Sequence, residues 1–135
     1  MPEQPSIRVE AAPTFNQNLR RLAKKYRRIK QDIQPVVQQL QQGELPGDQI
    51  SGVSYPVFKL RVRNSDIQKG KSGGYRLIYY AKLDNQIILL TIYTKSEQVD
   101  IAADDIRQIV ADYEKDKSKD WLVKAIETKA GEDAP

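Results

Sequence analysis

The sequence predicts an α+β domain, with an N-terminal helical hairpin packed on an antiparallel sheet of three to four strands and a C-terminal helix. Three observations predict it. Apolar residues from Phe15 to Leu40 recur at steps of three and four, which lays one stripe along helix. Three β-rich runs between residues 57 and 94 follow one another through connections too short for a crossover, so they pair antiparallel. Helical spacing then returns through Ile106, Ile109, Val110 and Tyr113. With 135 residues, 39% of them hydrophobic, the chain can bury one core without a staple.

Taken in order, Ser6 to Glu10 reads as a short lead strand. The stripe Phe15, Leu19, Leu22, Tyr26, Ile29, Ile33, Val37 and Leu40 covers two helices, about 14–26 and about 29–42. Thr14 can cap the first, the chain turns near Arg27-Arg28, and Gly43 stops the second. Pro35 argues against a single long helix and favours the first turn of the second one. Gly43, Pro46, Gly47 and Gly52 mark a loop. From Val57 to Arg63 the alternation is strict: Phe58, Leu60 and Val62 face the helices, and Lys59, Arg61 and Arg63 face away. Asn64 to Gly73 is a polar loop carrying Lys69 and Lys71. Tyr75 to Lys82 and Ile87 to Thr94 form a hairpin about Asp84-Asn85. Asp104 and Asp105 fall in the first turn of the last helix, where the helix dipole favours anions. We draw the domain at residues 1–117 and read 118–135 as an extension, helical or disordered.

Composition excludes much chemistry. The chain has no His and no Cys, which removes imidazole bases, thiol nucleophiles, disulfides and thiolate metal sites. No apolar run is long enough for a membrane span, and Met1 to Glu10 lacks the apolar segment of a signal peptide. The expected location is the cytoplasm, with no membrane partner. The net charge of +4 is unevenly placed. Met1 to Lys95 holds 16 Lys+Arg against 7 Asp+Glu, a balance of +9, and Ser96 to Pro135 holds 6 against 11, a balance of −5. The body is basic and its flank acidic, which points the body at a polyanion.

The outward sheet face collects that charge. Lys59, Arg61 and Arg63 come from one strand, Arg76 from the next, and Lys95 stands at the rim on the same side as Tyr93. From Val57 to Gly74 the only acid is Asp66. A phosphodiester suits such a face, because Arg forks match its oxygens and Lys adds a point charge. Tyr80 and Tyr93 offer either stacking surfaces for unpaired bases or partial core packing. A second run, Arg20, Arg21, Lys24, Lys25, Arg27, Arg28 and Lys30, is either a grip on phosphate backbone or a solvated helix face.

Three segments carry a resemblance. Val57-Phe58-Lys59-Leu60-Arg61-Val62-Arg63, Ser72-Gly73-Gly74-Tyr75-Arg76-Leu77-Ile78-Tyr79-Tyr80 and Leu89-Leu90-Thr91-Ile92-Tyr93-Thr94-Lys95-Ser96-Glu97 resemble the RelE/ParE toxin superfamily, nearest its RelE and HigB-like branch. The resemblance spans about residues 7–115 and implies the toxin of a type II toxin–antitoxin module. It implies a ribosome-dependent endoribonuclease in which the mRNA 2′-hydroxyl attacks its own adjacent phosphate, with no metal and no cofactor. By motif position, Lys59 and Arg61 match the family's basic pair, Arg76 its transition-state arginine, and Lys95 and Glu97 its strand-end motif. Arg63, Lys69, Lys71, Tyr80 and Tyr93 are the remaining RNA-binding candidates. The implied partners are a cognate antitoxin, mRNA on the ribosome and, through the antitoxin, operator DNA.

Two positions depart from the family pattern. Ser96 replaces a common arginine, and Ile101, Ala102 and Ala103 stand near where many members carry a tyrosine as candidate general base. Either Glu97 or a lysine of lowered pKa takes the proton, or catalysis is weak. Two other readings stay open: a ParE-like gyrase inhibitor, and a relative that only binds RNA or antitoxin. The acidic last helix either closes the domain's open edge or covers the basic face, and Trp121 and Leu122 are candidates for partner contact.

Overall fold

The computed structural model describes residues 7–67, 74–83 and 85–115. Its elements are β1 (Arg8–Ala11), α1 (Pro13–Lys25), α2 (Ile29–Gln41), β2 (Asp48–Gln49), β3 (Val57–Val62), β4 (Tyr75–Lys82) and β5 (Gln86–Thr94). A last helix, α3, occupies 103–115 of the described residues. The strands form one sheet in the order β1-β5-β4-β3-β2. The fold is α+β, as the sequence predicts, with five strands instead of three to four. The expected lead strand is β1, the addition is β2, and the two lie at opposite edges of the sheet. The two residues of β2 pair antiparallel with β3, and β1 pairs parallel with β5.

The helical hairpin forms for partly unexpected reasons. Pro13 opens α1 after an extended Ala12, with no side-chain cap, so Thr14 sits inside the helix and does not cap it. Proline at that position is preorganised and lacks only a donor that would be unpaired anyway. Pro35 lies well inside α2 and not in its first turn. Both Pro35 and Gln31 are exposed, so the carbonyl that loses its donor meets water. Gly43 ends α2 at φ 94, the left-handed conformation glycine adopts without strain.

The sheet buries both faces. Phe15, Leu22, Ile29, Ile33 and Leu40 of the hairpin pack on Val62, Tyr75, Leu77, Tyr79, Leu89 and Ile92. On the opposite face, Ile106, Val110 and Tyr113 of α3 pack on Val57, Ile78, Ile88, Leu90 and Tyr93. The last helix therefore lies on the second face of the sheet, and its Tyr113 hydroxyl donates to Glu10 of the edge strand β1. A β-bulge makes this possible. Tyr79 pairs with Leu89 but Ile78 with Thr91, which leaves Leu90 as the extra residue. Without it, the period of two would turn Leu89 and Ile92 to opposite faces. With it, both reach the hairpin side, and Tyr93 turns to the second face opposite Arg76.

Candidate functional site

Beyond the reach of α3, the second face opens into a cleft of about 540 Å³. Strand β3 supplies Lys59 and Arg61, β4 supplies Arg76, and the segment after β5 supplies Lys95, Val99 and Asp100. Gly47 and Asp48 form the remaining wall. A Cβ on Gly47 would lie 2.4 Å from the Lys59 carbonyl, so only glycine lets this wall rest directly on the strand that carries Lys59. Gly74 serves the neighbouring strand alike, since a Cβ there would stand 2.7 Å from the Val62 carbonyl. That contact gives the glycine of the Gly-Tyr-Arg segment a physical reason.

The charge is concentrated by register. Arg61 lies directly opposite Arg76 on the adjacent strand, a pairing that like charges disfavour. Arg76 retains only 9% exposure, and its Nη1 donates to the Tyr75 carbonyl at 3.2 Å. No carboxylate pairs with it among the described residues. A guanidinium buried without an ion pair is costly, and an anion entering the cleft relieves that cost. Lys59 is different. Its Nζ lies 3.1 Å from Asp100 Oδ1, which also accepts the Ile101 backbone N–H at 2.8 Å. The Ile101 hydrogen bond, then that of Lys59, holds the Asp100 carboxyl below the usual carboxylate range.

The structure thus brings Lys59, Arg61, Arg76 and Lys95 together, and it distributes the other expected residues elsewhere. Arg63 is exposed just beyond β3 and does not line the cleft. Lys69, Lys71, Trp121 and Leu122 lie outside the described residues, as does the boundary drawn at 117. The two tyrosines differ in exposure, and Tyr93 is not open as a stacking platform. Tyr93 is 2% exposed in the α3 core, and Tyr80 is half-buried edge-on to Tyr55 at 5.3 Å. Both rings are needed there because α3 packs on this half of the sheet. Burial raises the Tyr93 pKa, Asp100 adds to the rise and Arg76 opposes it; its hydroxyl has no hydrogen-bond partner among the described residues.

Glu97 also differs from expectation. Its Oε1 accepts from Arg21 Nη1 at 2.8 Å and its Oε2 from the Thr94 N–H at 2.7 Å. The carboxylate ties the turn after β5 to α1, and in doing so positions Lys95, two residues earlier. Burial alone would raise its pKa, but the hydrogen bonds from Arg21 and Thr94 outweigh burial and hold it below 4.5. A depressed folded pKa means that the stabilisation is present above the unfolded value and is lost as pH falls through the folded one. Glu97→Gln is expected to lower the unfolding temperature at pH 7 and to narrow the gap to wild type below about pH 4.5. Unfolding curves that stay equally far apart across this window would contradict the assignment.

Sequence reasoning missed Asp48 and Asp100, the two acids of the cleft. Asp100 stands one residue before the Ile101-Ala102-Ala103 stretch that lacks the family tyrosine. The available signal was an acid just upstream of a predicted helix start, where a carboxylate takes up free backbone N–H groups.

The family model described as "RelE toxin of RelE / RelB toxin-antitoxin system" matches residues 14–131, most of the chain. The chain belongs to the RelE toxin family. It is accordingly the toxin of a toxin–antitoxin system, and a cognate antitoxin is its partner. No curated protein matches the chain. The match takes in the helical hairpin, all of the basic face and α3, so the cleft of this RelE-family toxin lies within the shared region. Among the described residues, no helix is long and apolar enough to cross a membrane.

Proposed function

We propose that this RelE-family toxin is a ribosome-dependent endoribonuclease that cuts messenger RNA through attack of a 2′-hydroxyl on the adjacent phosphate. The observation that carries the reading is Arg76, nine-tenths buried with no ion pair among the described residues, in a cleft shared with Lys59, Arg61 and Lys95. In-line attack adds negative charge to the phosphate oxygens, and preorganised cations stabilise that charge more than they stabilise the substrate. In this reading Arg76 and Arg61 hold the scissile phosphate, Lys59 assists at the attacking side, and Lys95 protonates the departing 5′-oxygen. Glu97 acts through the turn that carries Lys95 and does not touch RNA. The cytoplasm, where ribosomes and mRNA meet, is the place of action. The antitoxin neutralises the cleft with an acidic segment and carries the complex to operator DNA.

Purified toxin added to a translating extract tests this. The expected result is a set of mRNA cuts confined to translated sequence and spaced with the codons. Inhibition of gyrase supercoiling without any cuts would overturn the reading in favour of a ParE-like poison. Antitoxin binding alone would leave a catalytically inert relative.

A further inference from the structure

The proposed reaction needs a base for the 2′-hydroxyl, and the family tyrosine that would supply one is missing here. Glu97 does not supply it, since both its oxygens are held by Arg21 and Thr94 away from the cleft. Tyr93 does not either, since its hydroxyl is buried. We propose that Asp100 is the general base: its carboxylate lines the cleft with Arg61, Arg76 and Lys95, and accepts the 2′-hydroxyl proton. The inference rests on the endoribonuclease reading.

The geometry favours Asp100 over its neighbours. Its side chain is 61% exposed, so substrate reaches it. Oδ1 is fixed by Lys59 and by the Ile101 N–H, and Oδ2 accepts no hydrogen bond among the described residues. One oxygen thus orients the group and the other is open to a proton, the arrangement general-base catalysis requires. Asp48, the other acid of the cleft, is exposed on β2 and has no such anchor among the described residues. The step balances. Oδ2 takes the 2′-proton, the 2′-oxygen bonds to phosphorus, and the bond from phosphorus to the 5′-oxygen breaks. Lys95 gives that oxygen a proton, leaving a 2′,3′-cyclic phosphate and a 5′-hydroxyl.

Asp100 is faced by Lys59 and Arg61 from β3, Arg76 from β4, Asp48 from β2, Tyr93 from β5 and Lys95 from the following turn. The Ile101 N–H, then Lys59, lowers its pKa and favours the carboxylate form. Its rate contribution should therefore disappear only in acid.

Asp100→Asn is the direct test, because asparagine can still accept from Lys59 and Ile101 but cannot take a proton. Cleavage in the translating extract should fall by about 10²-fold or more, a usual general-base contribution. Binding of the protein to a non-cleavable 2′-deoxy analogue of the cut site should be unchanged or tighter, since the substitution removes a negative charge from the cleft. Asp100→Glu should recover part of the rate, and the acid limb of the wild-type pH–rate profile should vanish in Asp100→Asn. Unchanged or faster cleavage by folded Asp100→Asn would overturn the proposal; faster cleavage would mean that Asp100 blocks Lys59 as an internal substitute for phosphate. Absence of cleavage by wild type itself would instead overturn the endoribonuclease reading, and the base assignment with it.

Discussion

Arg76→Ala is expected to abolish growth arrest while the protein stays folded. The guanidinium is nine-tenths buried in the cleft and makes no ion pair among the described residues. Its removal takes away a desolvated charge whose one hydrogen bond among the described residues goes to the Tyr75 carbonyl, so the folded state has little to lose. The transition state has much to lose. Deleting one preorganised donor from an oxyanion-type site typically costs about 10²–10³-fold in rate. Arg76→Lys should recover only part of this, because an ammonium cannot present a planar fork to two phosphate oxygens. Full growth arrest by a folded Arg76→Ala protein would count directly against the role assigned to the cleft.

The largest stability effect is expected at Tyr79. This side chain is fully buried, stacks on Phe58 at 5.2 Å between ring centroids, and donates its hydroxyl to the Pro46 carbonyl. Tyr79→Ala should cost about 3–5 kcal/mol, the usual range for deleting a buried aromatic. That is a large fraction of the roughly 5–15 kcal/mol that holds a domain together. Tyr79→Phe keeps the ring and loses only the hydrogen bond, at about 1–2 kcal/mol. It should also loosen the segment from Pro46 to Asp48, and with it one wall of the cleft. Denaturant unfolding of the two variants checks both figures. Equal midpoints would show that the hydroxyl, and not the ring, carries the site.

The parts of the fold visible in the sequence are those with a period. The stripe from Phe15 to Leu40 located both helices, and the alternation from Val57 to Val62 set the two faces of β3. Strand β1 was legible only as a weak lead segment, because a parallel edge strand has no turn joining it to its partner. The side covered by α3 was not legible. It depends on the bulge at Leu90, an extra residue that alternation cannot reveal within a continuous apolar run. This is why Tyr93 reads as a stacking candidate and is a core residue, with Tyr80 half-buried beside it. The four cations of the cleft followed from strand parity and motif position. Asp100 did not, because the ion pair to Lys59 spans 41 positions and local pattern says nothing about it.

The central claim is that this cleft transfers a phosphate from a 5′-oxygen to the neighbouring 2′-oxygen. The chemistry of the cut ends tests it most directly. Messenger RNA from the translating extract should carry 5′-hydroxyl termini that accept phosphate from a polynucleotide kinase without prior phosphatase treatment. The upstream fragments should end in 2′,3′-cyclic phosphate. Fragments bearing 5′-phosphate and 3′-hydroxyl ends, the products of attack by water with loss of the 3′-oxygen, would contradict the account.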